Sequence, residues 1–328
     1  MSEWKCYKLN EISSLSNGIN FDKSAYTSGV KLIGVSDFKN RIHPDYDSLQ
    51  EVDSKFVKSG DYLEKGDIVF VRSNGNKELV GRCMMIDRDI PVTYSGFCIK
   101  LRLKDKKLFE PVFFNYLFKT RQFKKSMTGT AVGANIQNLS QSRLGSCEVN
   151  VPDIETQKEI ATNLSRYDSL IENYQKQIKL LEEAAQRLYK EWFVDLHFPS
   201  HENTKIVDGV PEGWEKKPVK TIIELQSGYA FKSSKFTEDG IYKIVTIKNV
   251  KDGAFDGENV SKIASVPEKM PKHCILEDGD ILLSLTGNVG RVCIVNGKKY
   301  LLNQRVAKLK SAYKAYTYCL FRSRKKYQ

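Results

Sequence analysis

The sequence predicts an α+β chain: two similar domains with curved mixed or antiparallel sheets, joined by one long helix of the coiled-coil type. Three observations carry that expectation. Blocks of sequence recur in the same order in both halves, a strict apolar stripe at helical spacing lies between them, and short β-branched runs bounded by turn residues fill each half. The boundaries that follow are residues 1–152 for the first domain, 153–198 for the helix and 199–328 for the second domain.

The repeat is carried by four blocks. Leu15-Ser16-Asn17-Gly18-Ile19-Asn20-Phe21 is echoed by Leu225-Gln226-Ser227-Gly228-Tyr229-Ala230-Phe231. Lys31-Leu32-Ile33-Gly34-Val35 is echoed by Lys243-Ile244-Val245-Thr246-Ile247. Leu63-Glu64-Lys65-Gly66-Asp67-Ile68-Val69 matches Leu276-Glu277-Asp278-Gly279-Asp280-Ile281-Leu282, and Tyr116 to Arg121 matches Cys319 to Arg324. Any one block is an ordinary apolar run; four in register are an internal duplication.

Within each copy the reading is mostly β. Ile68 to Arg72, Ile99 to Leu103, Ile241 to Ile247, Ile281 to Leu285 and Arg305 to Leu309 are short runs bounded by Gly, Asp and Asn turns. A helix is expected near Pro111 to Lys125.

Between the copies, Ile160, Leu164, Tyr167, Ile171, Tyr174, Ile178, Leu181, Ala185, Leu188 and Trp192 alternate at spacings of four and three. That is an a/d seam, with Glu, Lys, Gln and Arg on the other faces and no Gly or Pro inside. Asp153 and Thr156 are candidate caps, Thr156 and Glu159 have the spacing of a capping box, and His197-Phe198-Pro199 is expected to end the helix. About 40 residues at ~1.5 Å each make a rod of roughly 60 Å. One apolar stripe of that length calls for a partner helix along the seam. Two similar domains on such a rod suit a ligand with two separated features along a line, as duplex DNA has.

The net charge of +12 favours a polyanionic partner. The excess is placed unevenly. Residues 1–153 hold 23 basic and 18 acidic side chains, residues 154–199 hold 6 and 8, and residues 200–328 hold 23 and 14. The seven cysteines show no C-x-x-C spacing and the four histidines no H-E-x-x-H pattern, so reduced buried thiols fit better than disulfides or a metal site. No signal peptide and no apolar run of membrane-spanning length occur, which leads to the expectation of a cytoplasmic protein without a membrane partner.

Several segments, in their order, resemble the specificity subunit of type I restriction–modification systems. They are Gly66-Asp67-Ile68 and Gly279-Asp280-Ile281 before a strand, with Ser284-Leu285-Thr286-Gly287-Asn288-Val289-Gly290 after the second. They continue with the stretch Gly129 to Ile136, Val151-Pro152 followed by Glu155 to Ile160, Trp192 to Asp195, and Pro211-Glu212-Gly213-Trp214. The resemblance spans essentially the whole chain. It implies a non-catalytic, sequence-specific DNA-binding subunit that reads a bipartite target. It also implies that methylation and cleavage are done by two methyltransferase subunits and two motor–nuclease subunits. S-adenosylmethionine, ATP and magnesium would belong to those partners, with no cofactor on this chain. In the family a second long helix follows the second domain and packs antiparallel on the first. Here the second copy stops at Gln328, near the equivalent of Lys124 or Lys125. The resemblance is therefore to a C-terminally truncated form, or to part of a longer product; a truncated form would pair its seam with a second copy, borrow a separately encoded fragment, or be inactive. An alternative is an assembly or inhibitory protein that binds methyltransferase subunits without competent DNA reading. A self-contained regulator that binds a palindrome is a third class, disfavoured by the unequal loops of the two copies.

The motifs of the catalytic partners do not occur. There is no Pro-Pro dipeptide of an adenine methyltransferase pocket, no G-x-G-x-x-G and no G-x-x-x-x-G-K-S/T. No catalytic or metal-ligating residues are assigned, and Asp278 and Asp280 are read as turn-formers. Candidate DNA contacts are loop donors. In the first copy these are Arg72, Ser73, Asn74, Asn76 and Lys77 after a strand, because Arg can read guanine and Asn adenine. Thr128, Thr130 and Asn135 border a glycine-rich stretch able to approach a phosphate. In the second copy Ser284, Thr286, Asn288 and Arg291 take the corresponding loop, with Gln304 and Arg305 beside it.

Overall fold

The computed structural model describes residues 4–38, 41–73, 79–128 and 138–323. The chain divides into two compact units, Met1–Glu172 and Asn173–Gln328, with the division falling inside the long helix. Each unit is an α+β assembly.

Unit 1 runs β1 (Lys5–Lys8), α1 (Leu9–Ile12), β2 (Ser13–Asn17), β3 (Val30–Ile33), β4 (Gln50–Val52), β5 (Ile68–Val71), β6 (Cys83–Met85), β7 (Val92–Tyr94) and β8 (Cys98–Leu103). It continues with α2 (Pro111–Lys119), α3 (Arg121–Thr128), α4 (Gln141–Gly145), β9 (Glu148–Val151) and the first part of α5 (Ile154–Phe193). An antiparallel sheet has the order β2-β8-β5-β6, a second has β4-β3-β7, and β1 pairs with β9. The β3–β7 pairing is parallel.

Unit 2 repeats this plan. After the short β10 (Ile206–Val207) and β11 (Val210–Pro211) come β12 (Glu224–Ser227), β13 (Tyr242–Val245), β14 (Ser261–Ile263) and β15 (Ile275–Leu276). Then follow β16 (Ile281–Ser284), β17 (Val292–Ile294), β18 (Tyr300–Leu302), β19 (Val306–Lys310) and α6 (Lys314–Ser323). The sheets are β12-β19-β16-β17 and β14-β13-β18-β15, again with one parallel pair, β13–β18. Strand for strand, β12, β13, β14, β16, β17, β18 and β19 stand where β2 to β8 stand in unit 1. The duplicated sequence blocks thus fold into duplicated topology.

The central strand explains why its run is apolar without alternation. All four residues of β5 are fully buried. Successive side chains leave opposite faces of a strand. Ile68 and Phe70 enter one core with the rings of α2 and α3, while Val69 and Val71 enter another with Met84 and Tyr94. In β16, Ile281 and Leu283 lie in the core with α6, and Leu282 lies in the core between the sheets.

The repeated Gly-Asp before these strands is structural. Gly66 and Gly279 adopt φ of +94° and +82°, backbone that suits glycine. The carboxylates of the buried Asp67 and Asp280 accept the N–H groups of Glu64 and Glu277 at 2.7 and 2.8 Å, closing the turn. Asp67 is further paired with Arg102 at 2.7 Å and Asp280 with Lys308 at 2.8 Å, so each buried charge meets a cation. Asp278 also serves a turn, accepting from Gly297 N–H.

Three local expectations are corrected. The region from Pro111 to Lys125 is two helices. Thr120 adopts an extended conformation, and its hydroxyl donates to Leu117 O at 2.7 Å and accepts from Phe123 N–H at 3.2 Å, capping both. Helix α5 starts one residue after Asp153, whose carboxylate accepts the Thr156 N–H at 2.9 Å. Thr156 therefore lies in the first turn as a bonded partner of the cap. The helix ends at Phe193, before His197-Phe198-Pro199, because Leu196 turns to φ +61° and the His197 N–H bonds back to Glu191 O.

Six of the seven cysteines are buried and Cys6 is exposed. Burial pushes the thiols of Cys98 and Cys293 up to about 12, consistent with packing roles. Among the described residues no helix is long and apolar enough to cross a membrane, and no three His, Cys, Asp or Glu side chains are grouped to hold a metal.

Candidate nucleic-acid interface

In each unit several connections meet at one end of the sheets, and the same main-chain bonds lace them together. In unit 1, Gly18 N–H bonds to Cys98 O, Ile19 N–H to Tyr94 O, Ser95 N–H to Ile33 O, and Arg72 N–H to Phe97 O. In unit 2, Gly228 N–H bonds to Val306 O, Tyr229 N–H to Leu302 O, Asn303 N–H to Val245 O, and Leu285 N–H to Arg305 O. The β5–β6 hairpin closes with Val71 N–H to Arg82 O, and the β16–β17 hairpin with Ser284 N–H to Arg291 O. These bonds of the frame join main-chain groups, so they are shared although the loops differ in length and side chains.

The repeated Gly18 and Gly228 make this frame possible. A Cβ on Gly18 would stand 2.3 Å from the carbonyl oxygens of Tyr94 and Ser95, and one on Gly228 2.3 Å from Asn303 O. Gly228→Ala is expected to destabilise the full chain by about 1–3 kcal/mol, the usual cost of overpacking against rigid backbone. A urea midpoint unchanged from wild type would contradict the close approach.

The candidate residues of unit 2 separate by exposure. Thr286, Asn288, Gln304 and Arg305 are exposed on two adjoining loops. Ser284 is different. Its hydroxyl is buried, donates to Asn288 O, and accepts the Arg291 N–H at 3.0 Å. It is a loop staple and presents no free donor. Arg291 is half-buried at the loop base. The structure thus brings Asn288, Arg291, Thr286, Gln304 and Arg305 to one end of the unit.

In unit 1, Arg72 and Ser73 are half-buried, and both direct their N–H groups to Phe97 O, at 2.8 and 3.4 Å. Ser73 also bridges to Asn138, so the chain beyond the glycine-rich stretch returns to this hairpin. Asn74, Asn76, Lys77, Thr130 and Asn135 lie outside the described residues, and so does the side chain of Thr128, which closes α3.

Sequence reasoning missed neighbours of these loops. Tyr229, which follows Gly228, accepts from Gln304 N–H and stacks edge-on with Phe231 at 5.2 Å. They line a cleft of about 430 Å³ with Lys232 and Lys235. Lys248 and Lys251 line another beside the β16–β17 loop. The signal available was the +9 excess of this half, which marks the region without ranking its lysines.

The long helix offers a second candidate surface. Its face toward unit 1 carries Gln157, whose amide meets Leu108 O, Pro152 O and Glu110 N–H, then Ala161, then Asp168, which accepts from the Tyr116 hydroxyl. Its face toward unit 2 carries Glu182, which accepts from Tyr318, and Tyr189, packed beside Tyr316. Of the seam itself, Ile160 is partly packed on the core of unit 1 and Trp192 is half-buried. From Leu164 to Leu188 it is exposed, reaching 69% at Tyr167 and 70% at Leu181.

Duplicated α+β units that lace variable loops onto one end, with a long helix of free apolar seam, define a class of modular recognition proteins. The chain belongs to the family of the type I restriction modification DNA specificity domain, whose family model matches residues 1–183 and 211–328. It is similar to the type I restriction enzyme MjaVIII specificity subunit of Methanocaldococcus jannaschii, 30% identical over 236 residues that make up 71% of this chain and 53% of that one. It is also similar to the EcoKI specificity subunit of Escherichia coli K12, 24% identical over 302 residues, 86% of this chain and 61% of that one. The chain thus spans about half to three-fifths of the length of these relatives. The fold is like that of the type I restriction–modification S subunit from M. genitalium, with a TM-score of 0.55 at 16% identity, covering 99% of this chain and 78% of that one.

Proposed function

We propose that this chain is the non-catalytic DNA-reading subunit of a cytoplasmic type I restriction–modification complex. Its two units each read one part of a bipartite duplex target. The observation that carries this reading is the shared main-chain frame with unlike loops: Leu285–Gly290 and Asn303–Arg305 in unit 2 stand on the bonds that hold 72–81 and 95–97 in unit 1. One scaffold with two different loop sets is what reading two different sequences requires, because bases are told apart by side-chain donors and acceptors. Arg72, Ser73, Asn74, Asn76 and Lys77 serve the first part; Thr286, Asn288, Gln304 and Arg305 serve the second, with Arg291 at the base of their loop. Thr128, Thr130 and Asn135 act toward the backbone. The chemistry belongs to methyltransferase and motor–nuclease partners, which carry S-adenosylmethionine, ATP and magnesium. The seam from Leu164 to Leu188 takes a second long helix, from another copy or fragment of a specificity subunit.

Methylome mapping of cells with and without the gene tests this reading. A bipartite methylated motif is expected to vanish on deletion and return on complementation. An unchanged methylome, with the partner methyltransferase expressed, refutes it.

The exposed seam also favours a second reading, in which the chain captures partner subunits without reading DNA. Size-exclusion of the chain with methyltransferase, with and without duplex, separates the two. Co-elution that excludes DNA supports capture alone.

A further inference from the structure

A cleft of about 380 Å³ opens beside the β16–β17 loop of unit 2. Lys248 and Lys251 enter it from the turn after β13, and Asn288 and Arg291 from the hairpin, with Ile247 and Asn259 completing the wall. Three cations thus converge on one cavity. Among the described residues none of the three takes part in a salt bridge, whereas Lys308 and Arg322 of the same unit are paired with Asp280 and Asp252. The cleft's one carboxylate, Asp256, accepts the N–H groups of Glu258 and Asn259 and is held in its charged form in part by Lys251, which leaves the three cations in excess over it.

The turn that carries the lysines is held by neutral hydrogen bonds. Asn249, 1% exposed, sits between them in sequence, and its amide is fully bonded: Oδ1 accepts from Thr246 N–H and hydroxyl, and Nδ2 donates to Asp256 O and Asn259 O, all at 2.9 Å. Gly287 at φ +70° lets the hairpin loop pass close to Ile247. In unit 1 the equivalent turn is Val35-Ser36-Asp37, with Ser36 where Lys248 stands and Arg82 where Arg291 stands.

A pocket rich in ammonium, guanidinium and amide donors suits an oxyanion with several acceptors. We propose that Lys248, Lys251 and Arg291 clamp backbone phosphates of the duplex whose bases meet the adjoining Leu285–Gly290 and Asn303–Arg305 loops. This rests on the DNA-reading assignment above and adds to it a division of labour: the cleft positions the backbone and the loop tips specify sequence.

The test uses the full chain in complex with the methyltransferase subunit, titrated with a long mixed-sequence duplex over a range of salt. For Lys248→Gln with Lys251→Gln, the slope of log K against log salt is expected to fall by about 1.8, roughly 0.9 for each phosphate no longer neutralised. The weakening is expected to be equal on duplexes with and without the methylated motif. Lys248→Arg with Lys251→Arg is expected to restore the slope. Binding with the wild-type slope in the Gln variant overturns the clamp while leaving DNA reading intact, and so does a weakening confined to the motif-bearing duplex. If the unmodified complex binds no duplex, the DNA-reading assignment falls and the clamp with it. An unchanged urea midpoint in the variants establishes that the fold is retained.

Discussion

Ile171→Asp combined with Ile178→Asp is expected to leave the chain folded and to abolish its pairing with a second specificity-subunit helix. Both side chains are more than half exposed, at 52% and 57%, so the isolated chain stands to lose little, about 0.5 kcal/mol or less per site. In a paired seam each isoleucine removes apolar area worth about 1.5–3 kcal/mol. The variant forfeits that area and must also bury a carboxylate. A loss of at least ~3 kcal/mol, or more than 100-fold in Kd, follows. Size-exclusion with the second copy or fragment reads the association, and circular dichroism reads the helix. Association at wild-type strength sinks the seam assignment.

The second large effect lies in the core of unit 1. Phe70 is fully buried on the central strand, with its ring 5.1 Å from that of Phe118 and 6.5 Å from that of Phe123. Phe70→Ala removes the side chain that joins β5 to α2 and α3. A loss of about 3–5 kcal/mol is expected in denaturant unfolding. Phe97→Ala is the control. That ring is 56% exposed, and its removal is expected to change stability by no more than about 0.5 kcal/mol. Equal effects of the two changes would contradict the burial pattern.

The features legible in the sequence were those with a local cause. The Gly-Asp-Ile blocks were visible because a positive φ and a carboxylate-closed turn need those residue types at that spacing. The seam was visible because the helix has a fixed period. The end of α5 was set too late, since the turn falls at Leu196, and a leucine at φ +61° leaves no compositional mark. The break at Thr120 was missed for a similar reason: a threonine inside an apolar helical pattern does not announce that its hydroxyl caps two helices.

The interface was legible only in part. Loops after strands were found because each follows a recognisable run. Ser284 was grouped with the exposed donors because a small polar residue at a strand end looks the same whether it faces solvent or staples the loop beneath it. Lys248 and Lys251 were missed because chain distance hides them. The parallel pairing of β13 with β18 and the bond from Asn303 N–H to Val245 O bring the turn after β13 to the hairpin end, and no spacing rule foretells a parallel pairing.

The main-chain lacing of the loop ends has a consequence for how such a protein changes over generations. Because most of the bonds that fasten each loop use peptide groups, the tip side chains other than Gly287 and Gly290, which adopt φ of +70° and +82°, can be exchanged without loosening its anchorage. The hairpin of one unit is thereby a cassette. Replacing the other residues of 285–290, with Gly228, Gly287, Gly290 and the Ser284 staple retained, alters what the tip offers while the sheets beneath keep their register. Variation is confined to places where folding does not depend on it, and new preferences can arise in one unit while the other keeps its own.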